Sequence, residues 1–207
     1  MKSNIFYAAA LAASLFSTTA CSDFLTEDPK GRIVSSAYFS SQDELNMSLV
    51  SLFTKVTDSQ SYTNMMYPQW QGDDITANPS SNKQACAQLD AFSASADNKG
   101  VVADWNKHYD IIHEANFIID NAQRTPTSKE ELNIALGQAY FWRAYAYFYL
   151  VRVFGDLPIN LHNEDDHGTI QLSSVEKVYE QILADLLKAE SFELPATYKG
   201  EPRQMFG

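Results

Sequence analysis

The most strongly patterned part of the chain runs from 137 to 158 and reads GQAYFWRAYAYFYLVRVFGDLP. Around it, small residues recur at Ala135, Ala139 and Ala146, and large apolar ones at Leu132, Leu136, Trp142, Tyr147, Leu150 and Val153. Steps of three and four place such residues along one stripe of a helix. Phe141, Tyr145 and Tyr149 lie to the flanks, so the helix is apolar nearly all round. Such a helix is expected to be buried between neighbouring helices.

Both ends of this central helix are marked in the sequence. Ser128 and Glu131 form an S-x-x-E capping box at its start. Gly155 suits a left-handed cap at its end, and Pro158 cannot continue a helix. The pattern therefore predicts a long helix from about 128 to 153.

Three further segments, 41–58, 101–122 and 173–191, show the same helical spacing. Their apolar stripes are Leu45, Leu49, Leu52, Phe53 and Val56; Trp105, His108, Ile112, Ala115, Ile119 and Ala122; and Val175, Val178, Tyr179, Ile182, Leu186 and Ala189, with Leu183 and Leu187 widening the last. No segment alternates convincingly as a strand does. The sequence predicts an all-α fold whose last two helices resemble a tetratricopeptide-type hairpin.

Capping boxes and polar residues refine this picture. Ser41 with Glu44, and Ser173 with Glu176, form S-x-x-E boxes at the starts of the first and last helices.

Three polar residues lie on or beside the apolar faces of the predicted helices. His108 is interpreted as a packed histidine, Asn116 as a residue that hydrogen-bonds to a neighbouring helix, and Arg143 as an ion-pair partner of either Asp185 or Glu114.

The first 20 residues are typical of a signal peptide. Lys2 supplies a positive start, and the apolar run Ile5–Phe16 is too short to span a bilayer. Small polar residues then lead to Cys21, which resembles a bacterial lipoprotein box in which that cysteine carries the lipids. An ordinary secretory signal with Cys21 as a free thiol is the alternative. Residues 21–40 are then expected to form an extended tether.

Only two cysteines exist. If Cys21 is acylated, Cys86 has no intramolecular partner and the fold relies on no disulfide. A Cys21–Cys86 bridge is the alternative in an exported protein.

The segment 60–98 breaks the helical periodicity and is rich in aromatic residues. Long loops of this kind are usually functional or disordered, and aromatic content argues against disorder. Aromatic rings stack on the C–H face of a sugar, while carboxylates and amides bind its hydroxyls. The candidate ligand-binding residues are Tyr67, Trp70, Gln71, Asp73, Asp74 and Asn78. In the alternative interpretation, Tyr67 and Trp70 plug the loop onto the helices, and the two aspartates only cap or turn.

Composition and charge narrow the function further. The net charge of −11 argues against nucleic-acid binding. No metal cage, catalytic triad or phosphate loop is found, and Asp73 and Asp74 are adjacent rather than facing, as a glycosidase pair requires. The segment 162–167, HNEDDH, is interpreted as a solvated acidic loop. The sequence therefore predicts a non-catalytic protein without cofactor or metal.

A family resemblance is carried by a series of motifs along the mature chain. Cys21 is followed by Phe24-Leu25 and Pro29. Then come W-x3-Y-x2-I-x2-A-N at 105–116, G-x-A-x-F-x-R-A-x2-Y-x2-L-V-R-x-F-G-D-x-P at 137–158, and S-x2-E-x-V-Y-x2-I-x2-D-L-x2-A at 173–189. This order resembles the N-terminal part of RagB/SusD-type proteins.

The resemblance implies a cell-surface lipoprotein of the Gram-negative outer membrane. Such proteins have a tetratricopeptide-like scaffold with excursions that bind glycans, and they pass the ligand to a SusC-like TonB-dependent barrel transporter. Residues 41–207 would be a SusD-like domain that is incomplete at its C-terminus, because family members are much longer. The alternatives are a helical-repeat adaptor for a protein partner and a truncated fragment without function.

Overall fold

A computed structural model describes residues 38–60, 68–78, 83–163 and 171–195. The unit described below is Phe39–Gly207. Its α-helices are α1 (Gln42–Ser59), α2 (Gln84–Asp90), α3 (Lys99–Asn121), α4 (Lys129–Phe154) and α5 (Val175–Glu190), with 3-10 helices at Pro68–Gln71 and Ala122–Arg124. The all-α prediction is confirmed. The predicted signal peptide, Cys21, most of the tether and Tyr67 lie outside the described residues.

Helix α4 is the centre of this unit. It packs against α3 on one side and α5 on the other, and α1 packs on α3. The small residues Ala135, Ala139 and Ala146 are fully buried, as are Tyr147 and Leu150. Small side chains let neighbouring helices approach closely, so the predicted pattern is confirmed over most of the helix.

The burial of α4 is nevertheless incomplete. Phe141, Phe148 and Val153 are exposed. The prediction that Val153 lies on the buried stripe was therefore wrong. The reason is that α3 and α5 make most of the contacts to α4, and these side chains lie outside the two covered sides.

The ends of α4 follow the sequence signals. The Ser128 hydroxyl accepts a hydrogen bond from the Glu131 N–H at 3.1 Å. At the other end, Gly155 has φ 78°, a backbone conformation that strains any residue with a Cβ. The chain then enters β1 (Leu157–Pro158), which pairs antiparallel with β2 (Leu172–Ser173), Leu157 opposite Ser173. This ribbon was not predicted, because two-residue strands are too short to show alternation.

Several local predictions for the other helices need correction. Phe53 on α1 and Leu183 and Leu187 on α5 are exposed, since each stripe is wider than the contact its helix makes. The Ser173 capping box was also wrong, because Ser173 belongs to β2 and α5 begins after Ser174. The remaining correction concerns 60–98, where α2 and a 3-10 helix interrupt the predicted loop.

The capping hydrogen bonds at the starts of α1 and α5 involve residues that were not predicted to take part. The Ser41 hydroxyl accepts from the Glu44 N–H at 3.3 Å, as predicted. The Glu44 carboxylate accepts from the Ser40 N–H at 2.6 Å rather than from Ser41. At α5, the Asp156 carboxylate accepts from the Val175 N–H at 3.1 Å, so a residue from the preceding turn caps this helix.

A buried ion pair joins α4 to α5. Arg143 Nε donates to Asp185 Oδ2 at 2.8 Å, and Arg143 Nη2 donates to Asp185 Oδ1 at 2.7 Å. Both residues are almost fully buried. Gln181 Nε2 donates to Asp185 Oδ1 at 2.9 Å as well. The predicted Asp185 partner is confirmed, and the alternative partner Glu114 was wrong.

The same guanidinium reaches α3 and the segment after β1. Arg143 Nη1 donates to Asn116 Oδ1 at 2.8 Å and to the Leu161 carbonyl at 3.3 Å. Asn116 Nδ2 donates to the Asn160 carbonyl at 3.2 Å. Asn116 therefore bonds across to a neighbouring helix, as predicted, and also to the loop. The Tyr147 hydroxyl donates to the Asn160 carbonyl at 2.8 Å and accepts from the Asn160 N–H at 2.7 Å.

A second buried cluster lies between α3 and α4. The Tyr149 hydroxyl donates to Asp104 Oδ2 at 3.0 Å. The His108 ring stacks on Tyr149 with centroids 3.9 Å apart, and its Nδ1 lies 2.8 Å from the Asp104 carbonyl. Burial raises the pKa of Asp104 to about 6, although the Tyr149 hydrogen bond opposes this shift. Burial also lowers the pKa of His108, and its almost complete burial confirms the predicted packed histidine.

Asp185→Ala should strongly destabilise the fold, because it leaves the Arg143 charge buried without its carboxylate. We expect a loss of about 3–5 kcal/mol in the free energy of unfolding, measured by urea denaturation with circular dichroism. The matched control is Glu180→Ala, an exposed acid on the same helix, which should change stability by less than about 0.5 kcal/mol. A loss of under about 1 kcal/mol for Asp185→Ala would contradict the structural role.

Asp104→Asn should change how stability depends on pH. Because the pKa of Asp104 is raised from 3.8 to about 6 on folding, its contribution is fully present below pH 3.8 and is lost as the pH rises through about 6. Wild type should therefore lose on the order of 2 kcal/mol relative to the variant between pH 4 and pH 7. Urea denaturation at several pH values measures this difference. Parallel pH profiles for the two proteins would contradict the raised pKa.

Candidate functional site

The described part of the aromatic segment, residues 68–78, is mostly exposed and is called the aromatic excursion below. Its 3-10 helix, Pro68–Gln71, packs against α2. Trp70 is half-buried. The other described candidates, Gln71, Asp73, Asp74 and Asn78, are all exposed. The structure thus places these five residues along one continuous surface segment, while Tyr67 lies outside the described residues.

Hydrogen bonds to α2 hold the excursion in place. The Ala77 N–H donates to Asp90 Oδ2 at 2.9 Å, and Ala77 itself is buried. Helix α2 is in turn tied to the start of α3 by Asn98, whose Nδ2 donates to the Ala85 carbonyl at 3.1 Å and to Gln88 Oε1 at 2.7 Å. The backbone of the excursion is anchored, and its polar side chains are left available to a ligand.

Asn98 also begins α3. Its Oδ1 accepts from the Gly100 N–H at 2.9 Å and from the Val101 N–H at 3.2 Å. One asparagine therefore caps a helix with its oxygen and holds the preceding helix with its nitrogen. This arrangement fixes α2, the helix on which the excursion packs, to the start of α3.

A separate cleft of about 520 Å³ lies between α3 and the segment after β1. Its lining residues are Asn106, Tyr109, Asp110, Ile112, His113 and Asn160. The side chains of Asn106, Asp110 and His113 are exposed along one face of α3, because their spacing of four and three residues follows the helical repeat. Ile112 is buried and supplies an apolar floor.

Both walls of this cleft are held by hydrogen bonds. The Tyr109 hydroxyl donates to the Pro158 carbonyl at 2.8 Å, and its ring packs on Trp105 with centroids 4.8 Å apart. Burial raises the pKa of Tyr109, so the phenol stays neutral and remains a donor. Asn163 Nδ2 donates to the His113 carbonyl at 2.9 Å, so the segment after β1 is bonded to α3 at a second point, further along the chain.

This cleft was not predicted from the sequence. Its α3 residues show a polar i, i+4, i+7 pattern that could have marked one exposed helix face. Asn160 lies far along the chain from these residues, and no sequence pattern indicates that the segment after β1 folds back onto α3.

The described residues hold little that suggests other chemistry. No three of their His, Cys, Asp or Glu side chains are grouped as a metal ion requires. His162 Nδ1 lies 2.8 Å from Asp120 Oδ1, an exposed pair that joins the start of the predicted acidic loop to α3. Most of that loop lies outside the described residues. Within the described part, no helix is both long and apolar enough to cross a bilayer.

Comparisons with known proteins agree with this architecture. A family model described as "SusD-like_3: Starch-binding associating with outer membrane" matches residues 23–206. A relative named SusD-like protein P2, from Formosa agariphila, is 31% identical over 88% of this chain and 37% of its own length.

Two solved structures are similar in fold. A SusD homologue from Bacteroides thetaiotaomicron has a TM-score of 0.67 and 24% identity, covering 86% of this chain and 35% of its own. A laminarin-binding SusD-like protein has a TM-score of 0.68 and 18% identity, covering 78% of this chain and 36% of its own. The chain thus spans about a third of the length of these proteins. It belongs to the RagB/SusD family and corresponds to the N-terminal part of its members.

Proposed function

We propose that this chain is part of a cell-surface protein that captures oligosaccharides at the bacterial outer membrane. The observation that carries the proposal is the family match over residues 23–206, whose description joins starch binding to association with the outer membrane. The laminarin-binding protein of similar fold supports a carbohydrate as the class of ligand. Because the chain covers only about a third of its relatives, the captured ligand would also contact parts of the longer protein.

Within this chain, the aromatic excursion is the proposed glycan-binding surface. The half-exposed Trp70 ring offers an apolar face for a sugar ring. Gln71, Asp73, Asp74 and Asn78 are exposed beside it in sequence and supply donors and acceptors for hydroxyl groups. Tyr67 precedes this segment and is proposed as a second stacking residue. Binding would be non-catalytic, because this surface supplies contacts to the ligand and no facing carboxylate pair.

The proposed place of action is the outer surface of the cell. The signal peptide and Cys21 would provide a lipid anchor in the outer membrane, and residues 21–40 would let the body stand away from it. The proposed partner is a SusC-like TonB-dependent barrel transporter that receives the glycan. The outer-membrane association in the family description supports this arrangement.

Trp70→Ala should weaken oligosaccharide binding by about 1 kcal/mol or more, because it removes the stacking face. The melting temperature should hardly change, since the ring is only half-buried. Isothermal titration calorimetry with starch and laminarin oligosaccharides measures the affinity. Tyr179→Ala removes an exposed aromatic residue from α5 and serves as the matched control, with unchanged affinity expected. A sharp fall in melting temperature for Trp70→Ala would instead identify Trp70 as a structural plug.

Cys21→Ser should release the protein from membranes, because the hydroxyl cannot carry the thioether-linked lipid of a lipoprotein. Fractionation of cells expressing the full chain, followed by immunoblotting, measures the distribution. Cys86→Ser changes the only other cysteine and should leave the protein in the membrane fraction. If the Cys21→Ser protein stayed with the membranes, acylation would not be the anchor.

A further inference from the structure

We propose that the cleft between α3 and the segment Ile159–Asn163 is a second saccharide-binding site, separate from the Trp70 excursion. The proposal rests on the function proposed above for its ligand class, and it adds a site made of helix and loop residues. Its volume of about 520 Å³ lies in the range of natural small-molecule sites and suits one or two sugar rings.

The lining chemistry favours a neutral, hydroxyl-rich ligand. Asn106 offers an exposed carboxamide with donors and an acceptor, and Asp110 offers carboxylate acceptors. His113 adds an imidazole that can donate and accept. This mixture matches vicinal hydroxyl groups, which donate and accept in turn. Ile112 at the floor and the edge of Tyr109 provide apolar contact for the C–H side of a ring.

The charge of the site excludes some other ligands. Among the described lining residues, Asp110 is the only carboxylate and none is a lysine or arginine, so they offer an anionic ligand no counter-charge. A divalent cation prefers several oxygen ligands with more than one carboxylate, and these residues supply a single one. Their mixture of amide, imidazole and apolar groups suits an uncharged polyol.

The wall formed by the segment after β1 is fixed before any ligand binds. The Asn160 backbone accepts from Tyr147 and Asn116 through its carbonyl and donates to Tyr147 through its N–H. Arg143 holds the neighbouring Leu161 carbonyl. These donors are buried side chains of α3 and α4. A wall that is already ordered reduces the entropy lost on binding, which favours even a weak ligand such as a single sugar unit.

The helical wall is similarly prepared. Tyr109 is tied to the Pro158 carbonyl on one side and packed against Trp105 on the other, so its ring cannot rotate freely. Asn106, Asp110 and His113 project from the middle of a 23-residue helix rather than from its frayed ends. Sites on helices are held more precisely than sites on loops.

The test is a titration of the isotope-labelled full chain with maltohexaose and laminarihexaose, followed by NMR. We expect the side-chain amide signals of Asn106 and Asn160 and the backbone signals of Asp110 and His113 to shift. The double variant Asn106→Ala with Asp110→Ala should bind at least about tenfold more weakly at these signals, because it loses hydrogen bonds that include one to a charged group. Both residues are exposed on α3, so circular dichroism should show an unchanged fold.

The control is Glu180→Ala with Lys177→Ala on α5, two exposed polar residues outside the cleft, and it should leave the cleft signals and affinity unchanged. Cleft shifts that persist in Trp70→Ala would support a separate site. Saccharide binding that shifts only the Trp70 segment, and that the double variant leaves intact, would overturn the cleft proposal while the proposed function stands. Absence of binding to either oligosaccharide at millimolar concentration would overturn both for this chain.

Discussion

The bidentate contact between Arg143 and Asp185 is the interaction on which the rest of the domain depends. It joins α4 to α5, and the remaining guanidinium nitrogen reaches Asn116 on α3 and the Leu161 carbonyl. Burying two charges is costly, and the cost is offset only when nearly every donor and acceptor is satisfied. Here Gln181 donates a further hydrogen bond to the Asp185 carboxylate. We infer that this network fixes the register of three helices, because sliding any one of them would leave a buried charge without its partners.

The same network explains why the segment after β1 has a defined path. Its ribbon contains only two residue pairs, too few to order the chain beyond Pro158. The Asn160 peptide instead receives hydrogen bonds from Tyr147 and Asn116, and both side chains are fully buried. Core polar groups therefore replace sheet hydrogen bonds for this backbone, as buried peptide groups require. The cleft wall is thus a consequence of the way the helices pack.

Much of this architecture could be predicted from the sequence, since strong signals are local. The Ser128 cap and the small-residue face of α4 follow from spacing, and charge narrows the partner of Arg143 to Asp185 or Glu114, of which the structure has Asp185. The features that were not predicted depend on contacts between residues that are far apart in the sequence. Helix α2 has only seven residues, too few to show a helical period, and hydrogen bonds from Asn98 hold it to α3. Leu183 and Leu187 fit the stripe of α5, but no described element covers them. The cleft needs Asn160 to return to α3, which no periodicity encodes.

The aromatic excursion and the cleft are held in place by different contacts, and this difference affects how each would bind a saccharide. The excursion is attached by the hydrogen bond from Ala77 to Asp90, Asn98 holds the helix on which it packs, and its polar candidate side chains are exposed. Such a surface would adjust to glycans of different shape, at the cost of ordering its side chains on binding. The cleft is built on a helix and a peptide fixed by the buried core, so it would lose less entropy and tolerate less variation in the ligand. Under the proposed function, the excursion would accept long glycans of varied shape, and the cleft would discriminate among their sugar units.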